Sequence, residues 1–541
     1  LRKSASCPSE IWLAAYHDRY RPGKQRYYVS LMIRSFLTVS TGTLASRLLG
    51  FARDSLIAAL LGTGAVADAF LAAFQLVNVT RRLLSEGALN AALIPAWLRV
   101  RDRDGEEAAS AFAGRVLGTV SAGLIVISIG IAVAMPLIVM IIAPGFVGSA
   151  TLDLAVEHAR LMLPYLAFAG PVTVLMGLLN AQGKFALTAF TPLLFNIALI
   201  AAIAVLLVGH ADAPLAAWML AATVGIAGLL QLVMLGSQRS ARLATPLRMS
   251  FDQEMRGFFA KAIPGMIASS GPQWLMIAGA IIASATPSAV SWLYFANRLV
   301  ELPLGIVGVA MGTVLVPELT RAVGSGDREA VAHAESRALE LAAGLALPAT
   351  LGLAALAEPI VRLLFEHGAF GAEDSMATAH ALMWLALGLP AHVLIKALSP
   401  AFYARSDTMT PLLATAKGFV LAVVLAVVLG HVFGASGVAA SIATGAWSSA
   451  ASLLRKGTSE FGFSVDAAAR KRLPRIVLAA AAMGALLWLT TGLMPSEAHG
   501  LIRFIVLGLQ IAAGMAVYGL LLQILGAASW REAAAALKRP A

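Results

Sequence analysis

Four arginines, Arg47, Arg53, Arg81 and Arg298, stand inside stretches otherwise apolar enough to cross a bilayer. An arginine at the bilayer centre costs roughly 3 kcal/mol on insertion scales and more on others, so a membrane chain that keeps several has a use for them. The chemistry they offer is anion binding in a wet cavity. Guanidinium is the group of choice for phosphate, because its planar donor fork matches two oxygens and it does not lose its proton. Several forks around one chamber favour a diphosphate or similar multivalent anion over a neutral drug.

The first pair lies in Ser46-Arg47-Leu48-Leu49-Gly50-Phe51-Ala52-Arg53-Asp54. At 1.5 Å per residue, Arg47 is roughly 18 Å into a helix starting near residue 35, too deep to reach either interface easily. Arg47 and Arg53 are about 120° apart on an ideal helix, and both face one cavity if the cavity is broad or if the helix bends, for which Gly50 is placed. In the next span Asn78, Arg81, Arg82, Ser85 and Glu86 form one polar stripe at helical spacing. Asn297, Arg298 and Glu301 repeat the pattern later in the chain. Asp54, Asp68, Glu86 and Glu301 are the acids placed to neutralise some of these arginines, Arg82 with Glu86 above all. The plainer alternative is that such pairs only fix helix packing. Lys261 and Lys396 are secondary cavity candidates that could equally snorkel. His158, His380 and His392 lack metal-ligand spacing and read as packed or interfacial residues. There is no nucleotide-binding glycine loop, no nucleophile with a base and no metal cluster, so nothing points to an enzyme or a cofactor.

The elements that must position these charges are membrane helices. The chain is 59% hydrophobic and only 13% charged over 541 residues, with a mean hydropathy of +0.81, which is the composition of a polytopic membrane protein. Stretches of about 20 apolar residues or more occur some fourteen times, at 35–61, 65–98, 111–142, 154–179, 185–208, 215–235, 255–283, 289–319, 330–357, 376–403, 410–429, 437–454, 473–493 and 501–525. The net charge of +11 is scattered through short loops, with no basic domain for a nucleic acid. Every second loop is basic, with Arg362 and Arg503 as exceptions, so the positive-inside rule predicts that both termini are cytoplasmic. Cys7 is the only cysteine and no internal disulfide is available. Residues 1–31 are polar, basic and aromatic without a signal-peptide core, and read as an upstream extension before a start at Met32. Prolines 164, 171, 264, 348 and 390 predict kinks within the spans.

A shift of about 222 positions lays 69–97 on 291–319 without a gap, matching Leu71 with Leu293, Ala88 with Ala310, Leu93 with Leu315 and Pro95 with Pro317. Pro136, Gly145-Phe146, His158-Ala159 and Thr191-Pro192 recur in order as Pro359, Ala369-Phe370, His380-Ala381 and Thr410-Pro411. The prediction is an all-α integral membrane fold of two pseudo-symmetric six-helix lobes, 32–238 and 252–456, followed by two further helices over 472–528. Repeats of this kind place substrate between the lobes near the membrane midplane and alternate access by rocking. Arg81 and Arg298 then come from facing lobes.

At these residues the chain resembles the lipid II flippase family (MurJ, also called MviN) of the multidrug/oligosaccharidyl-lipid/polysaccharide exporter superfamily. The motifs that carry the resemblance are 46–54, Asn78-Val79-Thr80-Arg81-Arg82-Leu83-Leu84-Ser85-Glu86-Gly87-Ala88, Tyr294-Phe295-Ala296-Asn297-Arg298-Leu299-Val300-Glu301-Leu302-Pro303 and Phe402-Tyr403-Ala404-Arg405-Ser406-Asp407-Thr408-Met409-Thr410-Pro411, and the likeness runs essentially from Met32 onward. The resemblance implies transport of lipid II, the undecaprenyl-diphosphate-linked disaccharide peptide, from the cytoplasmic to the outer leaflet of the bacterial inner membrane. By residue match it implies that Arg47, Arg53, Arg81 and Arg298 are the substrate-binding arginines, supported by Asp54, Asp68, Asn78, Glu86 and Glu301, and that the last two helices form a groove for the lipid tail. The chain departs from the family's pattern at Gln75 and Val77, where members often carry Lys and Pro, at Asn297 in place of Asp, and at Met409 in place of Lys. The expected partners are lipid II, membrane lipids and other cell-wall synthesis proteins, with no nucleic acid. The rivals are a multidrug or polysaccharide-lipid exporter of the same superfamily, which would prefer an aromatic or acidic cavity, and a nontransporting scaffold of wall synthesis, for which loss of the arginines would be harmless.

Overall fold

The structure, a computed structural model, describes residues 22–85, 88–237, 244–268, 279, 281–311, 318–319, 321–322, 327–403, 405, 407–492 and 500–527. The described chain is built of helices: α1 (Pro22–Leu61), α2 (Ala65–Ser85), α3 (Ala88–Ile142), α4 (Ala150–Met162), α5 (Pro164–Ala181), α6 (Phe185–Val208), α7 (Ala213–Gly236) and α8 (Gln253–Ala268), then α9 (Ala289–Ala310), α10 (Arg328–Ala355), α11 (Ala357–Phe365), α12 (Ala372–Tyr403), α13 (Met409–Phe461), α14 (Ala467–Thr491) and α15 (Gly500–Ile524). Among the described residues nine helices are long and apolar enough to cross a membrane. The charge-bearing α1, α2 and α9 are not in that set; α2 contributes a shorter apolar stretch, Ala65–Val79.

Two of these helices are folded hairpins. A straight helix of 53 residues would run about 80 Å, far beyond a bilayer, yet α13 has that length and turns at Gly434, whose φ is 56°. Beyond the turn the two arms lie against each other: a Cβ on Gly437 would strike the Leu429 carbonyl, and one on Gly445 would meet Ala422 and the Gly418 carbonyl. The small residues let the backbones approach closely, which in lipid is a main source of helix association. In α3 the break is Gly105, at φ 91°. Its arms reach one neighbourhood of α5, where Gly177 faces Asn90 and Leu93 and Gly170 faces Val120 and Leu124. The predicted third span shares its end at 142 with α3, whose start at Ala88 takes in the end of the predicted second span; the predicted sixth span, 215–235, lies within α7, and Phe185–Val208 coincides with the predicted fifth span. Of the prolines expected to bend spans, Pro164 falls at a break, between α4 and α5, whereas 171, 264, 348 and 390 lie within unbroken helices. α1 starts at Pro22, ten residues before Met32, and residues 1–21 lie outside the described chain.

Side-chain caps mark several starts. Asp212 accepts from the Leu215 N–H at α7, Asp327 from Glu329 and Ala330 at α10, and Asp466 from Ala469 at α14, each satisfying donors that the helix itself leaves open. The Ala469 N–H holds the half-buried Asp466 carboxyl below the usual carboxylate range.

Helices α1–α7 pack among themselves as one lobe and α9–α13 as another, with α14 and α15 laid against α10. α8, which the sequence assigns to the second lobe, packs along α3 of the first. There Phe112 meets Phe258 edge-on at 6.1 Å, and Arg115 pairs with Glu254 at 2.6 Å.

The two lobes are sewn together at the end of the bundle where α1 finishes. The Ser55 hydroxyl donates to the Leu364 carbonyl, the Ala369 N–H to the Ala59 carbonyl at 2.8 Å, and Thr63 to Asp374 at 2.6 Å. Trp292 also donates to Asp374, at 3.1 Å. Gly62 and Gly368 take left-handed φ values of 61° and 60° in this seam, and a Cβ on either would strike the opposite backbone. Asp68, on α2, accepts from the Ser291 N–H at 2.9 Å and its hydroxyl at 2.5 Å, a cap on the N-terminus of α9 supplied by the other lobe.

Candidate functional site

Arg53 and Arg298 meet at equal depth because each sits roughly 12–14 Å from the seam end of its helix at 1.5 Å per residue. α1 presents Arg53 and Asp54, and α9 presents Arg298 and Glu301 one turn apart. Asp54 is fully buried and is the hub. Its Oδ1 accepts from Arg53 Nε at 2.9 Å, Arg53 Nη2 at 2.5 Å and the Tyr294 hydroxyl at 3.2 Å, and its Oδ2 forms an ion pair with Arg298 Nε at 2.5 Å. Arg298 Nη1 also donates to Glu301 at 2.8 Å, and Glu301 accepts from Asn297 at 3.4 Å. One carboxylate thus ties guanidinium groups from opposite lobes. Taking each such ion out of water costs several kcal/mol, which only dense pairing of this kind repays.

The surroundings explain why Arg53 tolerates burial to 5% exposure. Its Nη1 donates to the Asn196 amide at 2.9 Å, and its guanidinium lies 5.1 Å from the Phe74 ring and 5.7 Å from the Phe195 ring, a cation–π environment. Asn196 is itself fixed by donating to the Ser46 carbonyl at 3.0 Å. Gly50 does not break α1, which runs unbroken through it. It makes room: a Cβ there would come 2.8 Å from Arg298 Nη2. Close approach across the lobes, rather than bending, is what this glycine supplies.

Arg47 lies two turns nearer the other end of α1 and leaves the deep cluster. It is half-buried and has no carboxylate partner among the described residues. Its Nη1 rests on α9 where Gly305 has no side chain, 1.7 Å from where a Cβ would be. A narrow interlobe cleft with a volume of about 20 Å³ lies beside the cluster, lined by Gln75, Tyr294, Asn297, Leu385 and Ile442. Asn78 stands half-buried on α2. Asp68 is not a cavity residue but the interlobe cap at the seam. The side chains of Arg81 and Arg82, and all of Glu86, lie outside the described residues. His158 is buried edge-on against Phe70 at 6.2 Å, a packed residue as its spacing suggested. Among the described residues there is no cluster able to hold a metal.

Sequence reasoning passed over Tyr294, Asn196, Phe74 and Phe195. The signal for Asn196 was legible, since it is the one side-chain amide in the apolar run 185–208. The rings carried no signal, because an aromatic in a membrane span is ordinarily core or lipid-facing.

The arrangement offers a buried, charge-balanced lock between lobes and a more accessible guanidinium beside it. A family model described as lipid II flippase MurJ matches residues 57–508. The probable lipid II flippase MurJ of Rhizobium tropici is 37% identical over 506 residues, covering 92% of this chain and 94% of that protein. The lipid II flippase MurJ of Burkholderia cenocepacia is 34% identical over 423 residues, covering 77% and 81%. A solved lipid II flippase MurJ in an inward closed conformation shares the fold with a TM-score of 0.73 at 22% identity, covering 90% of this chain and 98% of that one. An inward-facing multidrug resistance MATE family transporter of the MOP superfamily follows at 0.63 and 17%, covering 82% and 98%. With the family model covering most of its length, including Arg81 and Arg298, the chain belongs to the lipid II flippase MurJ family.

Proposed function

We propose that the protein moves lipid II from the inner to the outer leaflet of the bacterial cytoplasmic membrane by alternating access, without catalysing a reaction. The observation that carries this reading is the cross-lobe cluster, in which Asp54 of one lobe holds Arg53 beside it and Arg298 of the other. The diphosphate enters a cavity lined by Arg47, Arg53, Arg81 and Arg298, and Asn78, Asp54, Glu86 and Glu301 support them. An incoming dianion competes with Asp54 for Arg298, weakening the tie between lobes as it binds. That gives the substrate the differential affinity for two conformations that any transport cycle requires.

With both termini cytoplasmic, as the loop charges favour, the end of α1 lies outside and the seam of Ser55, Ala59, Thr63, Asp68 and Asp374 is a closed outer gate. The lobes are then poised facing inward. The α14–α15 pair packs Met483, Leu487 and Leu507 against Leu356 below α10 and is suited to carry the polyprenyl tail. Membrane potential contributes about 2.3 kcal/mol per charge moved per 100 mV.

Replacing Ala59 and Ala369 by cysteine tests the cycle, since the Ala369 N–H to Ala59 carbonyl bond of 2.8 Å brings their backbones close enough for a disulfide. In a Cys7→Ser background, oxidation is expected to stop lipid II exposure on the outer leaflet of cells depleted of the native protein, and reductant to restore it. Undiminished exposure with the cross-link formed would defeat alternating access and favour a scaffold.

A further inference from the structure

Residues 244–252, between the two six-helix halves, are laid along α3 as a strap. The Ser110 hydroxyl donates to the Thr245 carbonyl at 3.1 Å and the Arg248 N–H to the Gly114 carbonyl at 3.4 Å. The Thr119 hydroxyl accepts from the Ser250 N–H at 3.1 Å and lies 3.2 Å from its carbonyl. Two glycines allow the close approach: a Cβ on Gly114 would strike the Pro246 carbonyl oxygen, and one on Gly118 that of Arg248. Gly114 and Gly118 are about 6 Å apart along the helix, and the strap covers that distance in two residues, close to the rise of an extended chain. Side chains on such a chain alternate. Leu247, Met249 and Phe251, on alternate residues, are 62%, 61% and 66% exposed. Arg248 and Arg256 are exposed beside them, and Arg256 Nε donates to the Phe251 carbonyl at 3.0 Å.

The helices that flank the strap show what surrounds it. On α3 the exposed side chains just before it are Asp102, Arg103, Asp104, Glu106 and Glu107, and those beyond it include Ile125, Val126, Ile127 and Ile129. On α8 exposed Gln253, Glu254 and Arg256 give way to exposed Ile263. Both helices pass from water into hydrocarbon across the level of the strap. Length agrees. α3 ends at Ile142, on the seam side, where the following Gly145 N–H donates to Ser284 at 3.0 Å. A hydrocarbon layer of about 30 Å takes about 20 helical residues, which counts back to about residue 122, just past the strap's contacts at Gly118 and Thr119.

We propose that residues 245–251 are an interfacial anchor, with Leu247, Met249 and Phe251 seated in the leaflet opposite the seam and Arg248 and Arg256 meeting the phosphates of its lipid headgroups. The partner is a lipid surface. Apolar side chains interleaved with cations suit the boundary between headgroups and acyl chains, and the patch continues the lipid-facing surface of α3. On the topology proposed above this is the cytoplasmic leaflet. The anchor goes beyond the flippase reading and needs no particular cargo. Held by α3 on one side and by lipid on the other, the connection stays with the first lobe while the second rocks.

The test places a nitroxide label singly at Leu247→Cys, Met249→Cys and Phe251→Cys in a Cys7→Ser background. The full-length protein is held in nanodiscs of phosphatidylcholine and phosphatidylglycerol. Collisions of the label with oxygen, which concentrates in lipid, are compared with collisions with a water-soluble nickel chelate. Asp104→Cys is the water reference, and Val126→Cys, 68% exposed on α3, is the lipid reference. Oxygen-to-nickel ratios severalfold above that of Asp104→Cys are expected at two or more of the three sites. Ratios short of that at two or more sites overturn the anchor, whether the strap then faces open water or a protein or second copy absent from the disc. Gly118→Val, whose side chain would strike the Arg248 carbonyl, is expected to lift the strap from α3 and shift all three ratios together; ratios unmoved in that variant would also contradict the placement.

Discussion

Asp54→Ala is expected to destabilise the protein by about 3–5 kcal/mol, because removing one partner of a buried ion pair leaves the other charge uncompensated. Here it strips Arg53 of its carboxylate and leaves Arg298 with Glu301 alone, the two guanidinium groups facing each other across the lobes. The loss should show as a fall in detergent melting temperature and as weaker closure of the seam, read by accessibility of a cysteine placed at Ala369 to an impermeant reagent. Asp54→Asn keeps the shape and an acceptor but not the charge, and should fall between. A melting temperature equal to wild type in Asp54→Ala would mean that the cluster does not hold the lobes together.

Arg47→Ala should do the opposite. Arg47 has no carboxylate partner among the described residues and packs only its tip on Gly305, so its removal leaves no buried charge orphaned and melting should move little. Transport should suffer instead. One charge-assisted contact to substrate is worth roughly 1.5–3 kcal/mol, or about 10- to 150-fold in affinity. Lipid II exposure in depleted cells carrying Arg47→Ala should therefore fall to near the depleted level at ordinary expression, and Arg47→Lys should recover part of it, since a point charge replaces a fork. Equal exposure in Arg47→Ala and wild type would remove this residue from the binding site.

These opposite expectations for two neighbouring charges on α1 are the part of the site that the sequence did not disclose. Apolar run length was enough to give an all-helical membrane fold, and 185–208 was met to the residue by α6. The reversals at Gly105 and Gly434, each a single glycine at positive φ, fall in the gaps between the predicted spans 65–98 and 111–142 and between 410–429 and 437–454. The motif around Arg298 was legible as a charged stripe. Which acid it would meet was not, since Asp54 is 244 positions away and the pairing depends on how two lobes dock. The same holds for Asp68, whose carboxylate looks like a cavity acid in sequence and proves to cap α9 at the seam. Gly50 and Gly305 likewise gain their meaning only from what crosses over them, Arg298 and Arg47.

The most direct measurement is lipid II exposure on the outer leaflet of cells depleted of the native protein and supplied with a triple variant, Arg47→Ala, Arg81→Ala and Arg298→Ala, at matched membrane abundance. No recovery above the depleted level is the expected result, because of the four proposed guanidinium groups only Arg53 would remain, and Asp54 holds it. Full recovery would show that lipid II crosses without these groups and would contradict the arginine cavity as its path.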